Sequence, residues 1–330
     1  PTRRSSDLGK QKGPHMQAVT ETGFETFEGI GSNNWIVDGT RTASGKPLLA
    51  NDPHLGLSAP SIWHIAHLRA PGLDVVGAVL VGIPAVVLGR NSHVAWGFTN
   101  TGPDVQDLML EQLHPEDPSR YRIAMLGKDQ EAYASFETRT EEIRVRGDKA
   151  ETRVFRRSRH GPVISDVNEA LQAQVDPSRY ALALRWTALA EDNLSLEASV
   201  AMAQASNIEQ LRDALRLYQA PAQNVVMADL QGDIAYQVAG LVPKRKEDRI
   251  AGVAPIPGWD PRFAWDGFLS FEQLPHKNRR AILAEGAVFA TANEKPDHAA
   301  FLGHDFARRD RKDRITELLL NRDTARSIAA

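Results

Sequence analysis

The chain has 330 residues, of which 42% are hydrophobic and 25% are charged, and its formal net charge is −3. This near-neutral balance gives no reason to expect a nucleic-acid partner, and no run of 18 apolar residues that could span a membrane occurs. The absence of cysteine excludes a disulfide framework, a thiolate nucleophile and a thiolate metal site.

The residue composition at both ends of the chain differs from that of its middle. Residues 1–8 read like one translated frame of a sequencing adapter, and we expect them to be foreign to the native protein. Residues 9–31 are polar and contain glycine, with at most a weak helical pattern. Residues 327–330 carry neither a polar tail nor a helix cap. We therefore expect an internal piece of a longer protein.

Apolar runs predict strands in the first third of the chain. Residues 34–39 and 46–52 have the pattern of two short strands separated by glycine and serine turns. Residues 73–89 are almost continuously apolar and rich in valine, but glycine and proline interrupt them. Two buried strands fit that segment better than one helix. A further strand within 93–107 ends in a polar turn.

The rest of the chain is predicted to contain two hairpins and two helical regions. Apolar and charged residues alternate over 137–157 around a Gly-Asp turn, which predicts an exposed antiparallel hairpin. Residues 194–219 are predicted to be helical, residues 224–240 to form a second hairpin, and residues 309–323 to form a closing helix. Between the second hairpin and the closing helix lies an irregular covering segment, 255–275, rich in proline and tryptophan. The predicted class is α+β with long sheets.

The helical region 194–219 carries a start signal and an apolar face. Ser206 and Glu209 have the spacing of a capping box. The apolar residues that follow recur at helical spacing and are predicted to face the core. They are Ile208, Leu211, Leu215 and Tyr218.

The dipeptide Gly31-Ser32 leads directly into the first strand, and no neighbouring residue could activate its hydroxyl. If the chain is cut between the two residues, Ser32 gains a free α-amino group with an ordinary pKa of roughly 7.7–8.0. That amine could take the hydroxyl proton through one water. Gly31 would tolerate the strained backbone that self-cleavage requires. The alternative interpretation of the dipeptide is a plain turn before a strand.

Six short segments follow one another in a characteristic order and spacing. They are GSNNW (31–35), LLANDPHLG (48–56), GRNSHVAWGFTNTGPDVQD (89–107), HGPVIS (160–165), NVVMADLQGDIAY (224–236) and PIPGWDPRFAWDG (255–267). Together they resemble the penicillin acylase family of N-terminal-nucleophile hydrolases, from Gly31 to about residue 323. The resemblance implies a four-layered αββα fold, incomplete in this chain, and cleavage of an amide bond through an acyl-enzyme.

The resemblance also implies a role for each matching residue. Ser32 corresponds to the nucleophile and Gly31–Ser32 to the site of autocatalytic cleavage. His54 lies at the position that is His in cephalosporin acylases and acyl-homoserine lactone acylases. Asn100 matches the residue whose backbone N–H enters the oxyanion hole, and Asn224 the residue whose side-chain amide is the second donor. Arg245 lies close in sequence to the position of a family arginine that helps to hold that asparagine.

A structural calcium ion is implied by the segment DVQD. Asp104, Gln106 and Asp107 match the stretch by which penicillin acylases bind calcium through two carboxylates and one backbone carbonyl. Hard oxygen ligands of this kind suit Ca²⁺. A polar turn is the alternative, and no cofactor is implied for catalysis.

Other parts of the family's architecture are expected on chains or segments not present here. Residues 32–330 correspond to the N-terminal part of the catalytic large chain. The small chain, made from the same precursor, is missing, and so is the carboxylate that pairs with the residue matching His54. The resemblance implies a periplasmic or secreted enzyme.

Two leucines indicate which kind of acyl group the substrate carries. Relatives that cleave phenylacetyl groups have Phe just after the position of His54 and just before that of Gly89, whereas this chain has Leu55 and Leu88. Loss of two aromatic partners favours an aliphatic over an aromatic acyl group. With His54, this places the chain nearer the acyl-homoserine lactone acylases than the penicillin G acylases. The alternative is that both leucines are ordinary core residues.

Two different functions are also compatible with the sequence. The chain could be an inactive fragment or non-catalytic β-rich module that retains only the framework of the family. It could also be a conventional Ser–His esterase that uses His160, although no G-x-S-x-G elbow accompanies that histidine.

Overall fold

The computed structural model describes residues 31–56, 58–125, 131–246, 252–298 and 300–321. Residues 1–8, almost all of the segment 9–31, and residues 322–330 lie outside these ranges, so the expectations about both ends of the chain stay predictions.

The described residues form short strands that are joined mostly by tight turns. In chain order the strands are β1 (Gly31–Val37), β2 (Leu48–His54), β3 (Trp63–Ala70), β4 (Leu73–Leu80), β5 (Leu88–Asn91), β6 (Val94–Asn100), β7 (Gln106–Gln112), β8 (Arg120–Met125), β9 (Glu131–Ser135), β10 (Glu137–Ile143), β11 (Glu151–Ser158), β12 (Gly161–Pro162), β13 (Tyr180–Trp186), β14 (Gln223–Asp229), β15 (Ile234–Ala239), β16 (Pro243–Arg245), β17 (Ile256–Pro257), β18 (Trp265–Phe268), β19 (His276–Lys277) and β20 (Val288–Thr291). The helices are α1 (Glu169–Gln172), α2 (Ser195–Gln204), α3 (Ile208–Leu215), α4 (Arg279–Ala284) and α5 (Asp310–Leu320).

Two sheets build the centre of the molecule. Within the described ranges the larger has the strand order β19-β15-β14-β6-β5-β4-β3, and the smaller has the order β2-β1-β20. Smaller sheets lie beside them: β13-β7-β17, the exposed sheet β10-β11-β12, and the pairs β16-β18 and β8-β9.

The central strand β14 shows why these sheets stack. Successive side chains of a strand point to opposite faces. Val225 and Met227 enter a core shared with α2 and α3, whereas Val226 and Ala228 enter a second core shared with β1 and β20. A strand buried on both faces in this way requires a layer on each side.

The outermost layer is α5. Its Ile315 and Leu319 pack against Val37 of β1 and Val288 of β20, on the face of the smaller sheet that points away from the larger sheet. The order of layers is therefore α2 and α3, the large sheet, the small sheet, and α5. This confirms the predicted α+β class with four αββα layers. No helix in the described ranges is long and apolar enough to cross a membrane.

Most of the predicted elements are present. The segment 73–89 does form two strands, β4 and the start of β5, but β4 is mostly half-buried rather than buried. Residues 137–157 form an exposed hairpin of β10 and β11, as their alternation predicts. The covering segment 255–275 is largely irregular, with β17 and β18 as short strands within it.

The predicted capping box is wrong by one residue. The helical region divides into α2 and α3, and the side chain of Asn207, not that of Ser206, accepts the bond from the backbone N–H of Gln210. The Gln210 side chain in turn accepts from the backbone N–H of Ser206. Asn and Ser are equally good caps, so composition alone could not place the boundary. The predicted apolar face of α3 and its continuation to Tyr218 is buried.

Candidate active site

Ser32 lies on the inner face of β1, where the two central sheets meet. Side chains two residues apart in a strand share a face. Ile36 is in the core between the sheets, and Asn34 and Ser32 continue its face with exposures of 0% and 7%. Trp35 packs on the opposite side, towards α5. The alternation of β1 therefore points the Ser32 side chain towards the large sheet.

A buried polar network lies next to this serine. Asn34 donates to the backbone carbonyl of Asn224 at 3.4 Å and accepts from Thr291 Oγ1 at 2.6 Å. Thr291 and Thr99 join their hydroxyl groups at 2.7 Å across the two sheets. The side chains of Asn34, Thr99, Thr291 and Asn224 are all at most 2% exposed. Because each makes hydrogen bonds, their burial is compatible with a stable core.

Asn224 is held in one orientation by Tyr236. The tyrosine hydroxyl donates to Asn224 Oδ1 at 2.7 Å, and Asn224 Nδ2 donates to Thr99 Oγ1 at 3.2 Å. Burial, with a smaller effect of Glu294, raises the pKa of Tyr236 well above its ordinary value, so the hydroxyl keeps the proton that it donates. The amide of Asn224 therefore has its oxygen and nitrogen ends fixed by different partners.

Asn293 holds the backbone nitrogen of Ser32. Ser32 N donates to Asn293 Oδ1 at 2.7 Å, and Asn293 Nδ2 donates to the carbonyl of Asn100 at 2.9 Å. Asn293 follows β20 and has a φ of 67°, in the left-handed region that costs most residues free energy. The side chain of Asn293, carried on a strained backbone, thus connects Ser32 with the residue predicted to form part of the oxyanion hole, and such strain is typical of a functional site.

An apolar cavity of about 480 Å³ opens beside Ser32. Its polar edge contains Ser32 and Asn100, and both leucines singled out in the sequence, Leu55 and Leu88, line its wall. Further wall residues come from β3, β4, the turn before β5, β6, α2 and the segment after α3. They include Trp63, Phe98, Met202 and Tyr218. The arrangement offers a hydroxyl group at the mouth of a space suited to an apolar chain.

Comparison with known proteins decides the family. A family model described as penicillin amidase matches residues 3–330. The chain belongs to the penicillin amidase family. It is 35% identical over 294 residues to the acyl-homoserine lactone acylase QuiP of Pseudomonas aeruginosa. The matched region covers 87% of this chain and 33% of that protein. It is 34% identical over 296 residues to the penicillin acylase 2 proenzyme of Pseudomonas sp. (strain SE83), covering 88% of this chain and 36% of that protein.

The fold leads to the same family. The thermostable penicillin G acylase from Alcaligenes faecalis superimposes with a TM-score of 0.72 at 26% identity, over 88% of this chain and 49% of that one. The chain therefore spans about a third of the length of the curated relatives and about half of this structural relative.

His54, the second residue singled out from the family pattern, ends β2 directly opposite Gly31. Its Nε2 lies 3.2 Å from Asp52 Oδ2, and its Nδ1 is buried without a hydrogen-bond partner among the described residues. Asp52 is 68% exposed, so solvent screens this pair strongly. The carboxylate expected to pair with His54 from beyond residue 330 stays a prediction.

The described hydrogen bonds of Arg245 go to the segment 104–107. Arg245 Nε donates to Asp107 Oδ2 and Nη1 to the carbonyl of Asp104, both at 2.9 Å, and the pair with Asp107 is almost fully buried. The expected support of Asn224 by this arginine is therefore absent from its described contacts, where Tyr236 holds the amide instead. The loose spacing of the family match could not distinguish the two positions.

Both carboxylate oxygens of Asp107 have hydrogen-bond partners in this conformation. Asp107 Oδ2 also accepts from Trp265 Nε1 at 2.6 Å, and its Oδ1 accepts from Gly252 N at 2.9 Å. Gln106, whose backbone carbonyl would be the third implied ligand, is the first residue of β7. Among the described residues no cluster of three carboxylate or imidazole groups could hold a metal ion. Calcium binding here stays a prediction that requires Asp107 to exchange its present partners.

Asn293 and Tyr236 escaped the sequence reasoning for different reasons. Asn293 lies 261 positions from Ser32 and outside the six family segments. Its only local signal is that asparagine tolerates the left-handed conformation better than most residues. Tyr236 falls inside a family segment, but its alternating pattern predicts only a buried strand residue, and its hydrogen bond to Asn224 depends on the pairing of β14 with β15.

Proposed function

We propose that the complete protein is an amidohydrolase that cleaves N-acylated small molecules through an acyl-enzyme on Ser32. The observation that carries the proposal is the position of Ser32: its nitrogen is held by Asn293 and its side chain borders the apolar cavity. Membership of the penicillin amidase family supports the same reaction.

The reaction begins with cleavage of the precursor. Ser32 Oγ attacks the carbonyl carbon of Gly31, the Gly31–Ser32 peptide bond breaks, and its nitrogen leaves as the α-amino group. Water then hydrolyses the resulting ester to free the hydroxyl and the carboxylate of Gly31. The new amine acts as the base and takes the proton of the Ser32 hydroxyl when Oγ attacks the substrate carbonyl.

 The amine then returns that proton to the leaving nitrogen as the substrate C–N bond breaks. A water molecule, deprotonated by the same amine, attacks the acyl-enzyme and releases the acid.

The surroundings of the hydroxyl support the amine as base. In the part of the chain that the structure describes, no side chain hydrogen-bonds Ser32 Oγ, so no histidine is poised as in a Ser–His esterase. His160, the histidine considered for that alternative, bonds Glu111 at 2.8 Å and lines a different cavity with Arg159 and Trp259. Oxyanion stabilisation by Asn100 and Asn224 is part of the proposal, and loss of one such donor typically costs about 100- to 1,000-fold in rate.

The substrate is proposed to carry an aliphatic acyl chain. Leu55 and Leu88 border the cavity beside Ser32, and a branched aliphatic wall accepts a methylene chain without the aromatic partners that a phenyl group would use. The names of the relatives, acyl-homoserine lactone acylase and penicillin acylase, indicate N-acyl amides as the substrate class of those proteins. We further propose a small chain cut from the same precursor, and a periplasmic or secreted location.

The test is the N-terminus of the catalytic chain. The complete reading frame that contains this sequence is expressed, and intact-mass and N-terminal analysis are expected to find a chain that begins at Ser32. In Ser32→Ala the precursor should stay uncut and amide hydrolysis should fall to background. An uncut wild-type chain would support the non-catalytic module, and full hydrolysis by Ser32→Ala would support the esterase.

A further inference from the structure

The guanidinium of Arg311, near the start of α5, lies against the backbone at Ser32. Its Nη1 donates to the Ser32 carbonyl at 3.2 Å and to Asn33 Oδ1 at 2.9 Å. Its Nη2 donates to the Ala292 carbonyl at 2.7 Å and to Asn293 Oδ1 at 3.0 Å. One planar group therefore joins β1 to the end of β20 through four acceptors, a geometry that lysine cannot reproduce.

The same guanidinium explains the glycine before Ser32. A Cβ atom at Gly31 would lie 2.9 Å from Arg311 Nη2 and 3.0 Å from Nη1, closer than such atoms pack. Any side chain at position 31 would therefore displace the guanidinium. Arg311 is packed directly against the residue whose carbonyl is attacked in the proposed cleavage.

Asn293 links Arg311 to the Ser32 nitrogen. Its Oδ1 accepts from both Ser32 N and Arg311 Nη2, while its Nδ2 donates to Asn100. Two donors face its Oδ1 and an acceptor faces its Nδ2, which leaves the amide one satisfactory orientation. The bond from the guanidinium is charge-assisted, so it holds this orientation more firmly than a neutral donor would.

We infer that Arg311 is a positioning residue that presents the Gly31–Ser32 bond for cleavage and, after cleavage, aims Asn293 at the new amine. The inference rests on the proposed function. Arg311 makes no contact with the substrate in this role; it acts through the backbone of β1 and the side chain of Asn293.

The positive charge of Arg311 also affects the proton on the mature amine. A nearby cation disfavours the ammonium form, so the amine is more available as a base near neutral pH. The other charged or titratable groups around this end of β1 are His54 with Asp52 on β2, and the pair between Glu294 after β20 and Lys312 on α5. None of those groups is among the hydrogen-bond partners described for Arg311, which makes the pH profile informative.

The experiment compares Arg311→Gln and Arg311→Lys with Arg314→Gln in the complete protein. Arg314 is on the same helix but is 62% exposed and pairs with Glu317, so it serves as the matched control. We expect Arg311→Gln to slow appearance of the Ser32 terminus by about ten-fold or more. In the fraction that matures, kcat should fall more than KM changes, and the acidic limb of the pH profile should move to higher pH. Arg311→Lys should restore the position of that limb but not the rate of cleavage, and Arg314→Gln should match wild type.

Asn293→Gly provides an independent variant, because glycine accepts the left-handed backbone at this position. If Arg311 acts through Asn293, the double variant Arg311→Gln, Asn293→Gly should be no slower in turnover than Asn293→Gly alone. Wild-type cleavage and an unmoved acidic limb in Arg311→Gln would overturn the inference, as would full additivity of the two substitutions. A wild-type chain that is never cut would instead contradict the proposed function.

Discussion

At the scale of single residues, the orientation of one amide decides what the site can offer to a substrate. Asn224 can donate only from Nδ2, and the Tyr236 hydroxyl occupies its Oδ1. In the described structure Nδ2 is bonded to Thr99 Oγ1 at 3.2 Å, a long bond that a developing oxyanion could compete with. Tyr236 thus supplies the orientation, while the donor itself is exchangeable.

Replacement of Tyr236 by Phe should therefore affect both stability and catalysis. It leaves Asn224 Oδ1 buried without a donor, which costs about 1–3 kcal/mol of the free energy of unfolding. The amide is then free to turn, and we expect kcat for amide hydrolysis to fall about ten-fold, less than for loss of the donor itself. Urea unfolding and steady-state kinetics measure the two effects.

The control for this substitution is Tyr218→Phe. Burial alone raises the pKa of Tyr218, and its hydroxyl has no hydrogen bond within the described ranges. Its removal should change the free energy of unfolding by less than about 0.5 kcal/mol. Equal losses of stability in both variants would show that the bond to Asn224 is not what Tyr236 contributes.

Asp104 gives a prediction that depends on pH. Burial, opposed in part by the charge of Arg245, raises the pKa of the Asp104 carboxyl, and its Oδ2 has no partner among the described residues. A raised pKa in the folded state means that the charged form costs stability above that pKa, and that this cost disappears below the unfolded value of 3.8. In EDTA, Asp104→Asn should therefore raise Tm at pH 7, and the gain should vanish as the pH falls below 3.8.

Added calcium separates this expectation from the calcium site implied by the family. If Ca²⁺ binds at Asp104, it should raise the Tm of the wild type and not that of Asp104→Asn. A wild type that is more stable than the variant even in EDTA at pH 7 would contradict the prediction.

At the scale of elements, helix α3 shows how a boundary is set by geometry that the sequence leaves open. Two possible cap residues stand in a row, and the chain turns so that the second, Asn207, becomes the cap. The apolar face that follows is nevertheless unambiguous, because its period fixes which side of the helix is buried.

 Ser206 and Asn207 are the two residues that compete for this position.

Substitutions at these two residues test the assignment. Asn207→Ala should cost about 1 kcal/mol of the free energy of unfolding, because the backbone N–H of Gln210 loses its acceptor. Ser206→Ala should cost a few tenths, since its exposed hydroxyl bonds only the flexible side chain of Gln210. The reverse order of the two losses would restore the capping box predicted from the sequence.

The sequence predicts features that depend on neighbouring residues better than contacts between residues far apart in the chain. Alternation along β10 and β11 predicts an exposed hairpin, and the short apolar runs of β14 and β15 predict buried strands, because burial acts on each strand locally. The family segments locate Ser32 and the leucines that line the cavity. The contacts of Asn293 and Arg311 with Ser32 span 261 and 279 positions, so they depend on which strands and helices become neighbours. No local pattern records such a juxtaposition.

At the scale of the whole molecule, the cavity beside Ser32 is lined by residues from several layers. Its wall takes Leu55 from the end of β2, Leu88 from β5 and Met202 from α2, so three layers contribute to one space. If the proposed acyl chain binds there, the length that fits depends on the stacking of the layers and not on one loop.

A panel of N-acyl amides on the complete enzyme measures that property. Each methylene buried in the cavity gains about 0.8 kcal/mol, so kcat/KM should rise roughly four-fold per CH₂ from acetyl until the cavity is full. The phenylacetyl amide should lie below the best aliphatic member. If phenylacetyl is the best substrate and the aliphatic series is flat, Leu55 and Leu88 do not select the acyl group.

The place of Ser32 within the small sheet has a consequence for the lifetime of the enzyme. A catalyst whose base is its own first amino group would be destroyed by an aminopeptidase that removed a single residue. Such proteases require a loose, extended end, and chain ends usually provide one. Ser32 begins a strand that is flanked by β2 and β20, is 7% exposed, and has its nitrogen bonded to Asn293. The proposed mature terminus would therefore resist trimming by the exopeptidases of its surroundings for as long as the small sheet stays folded.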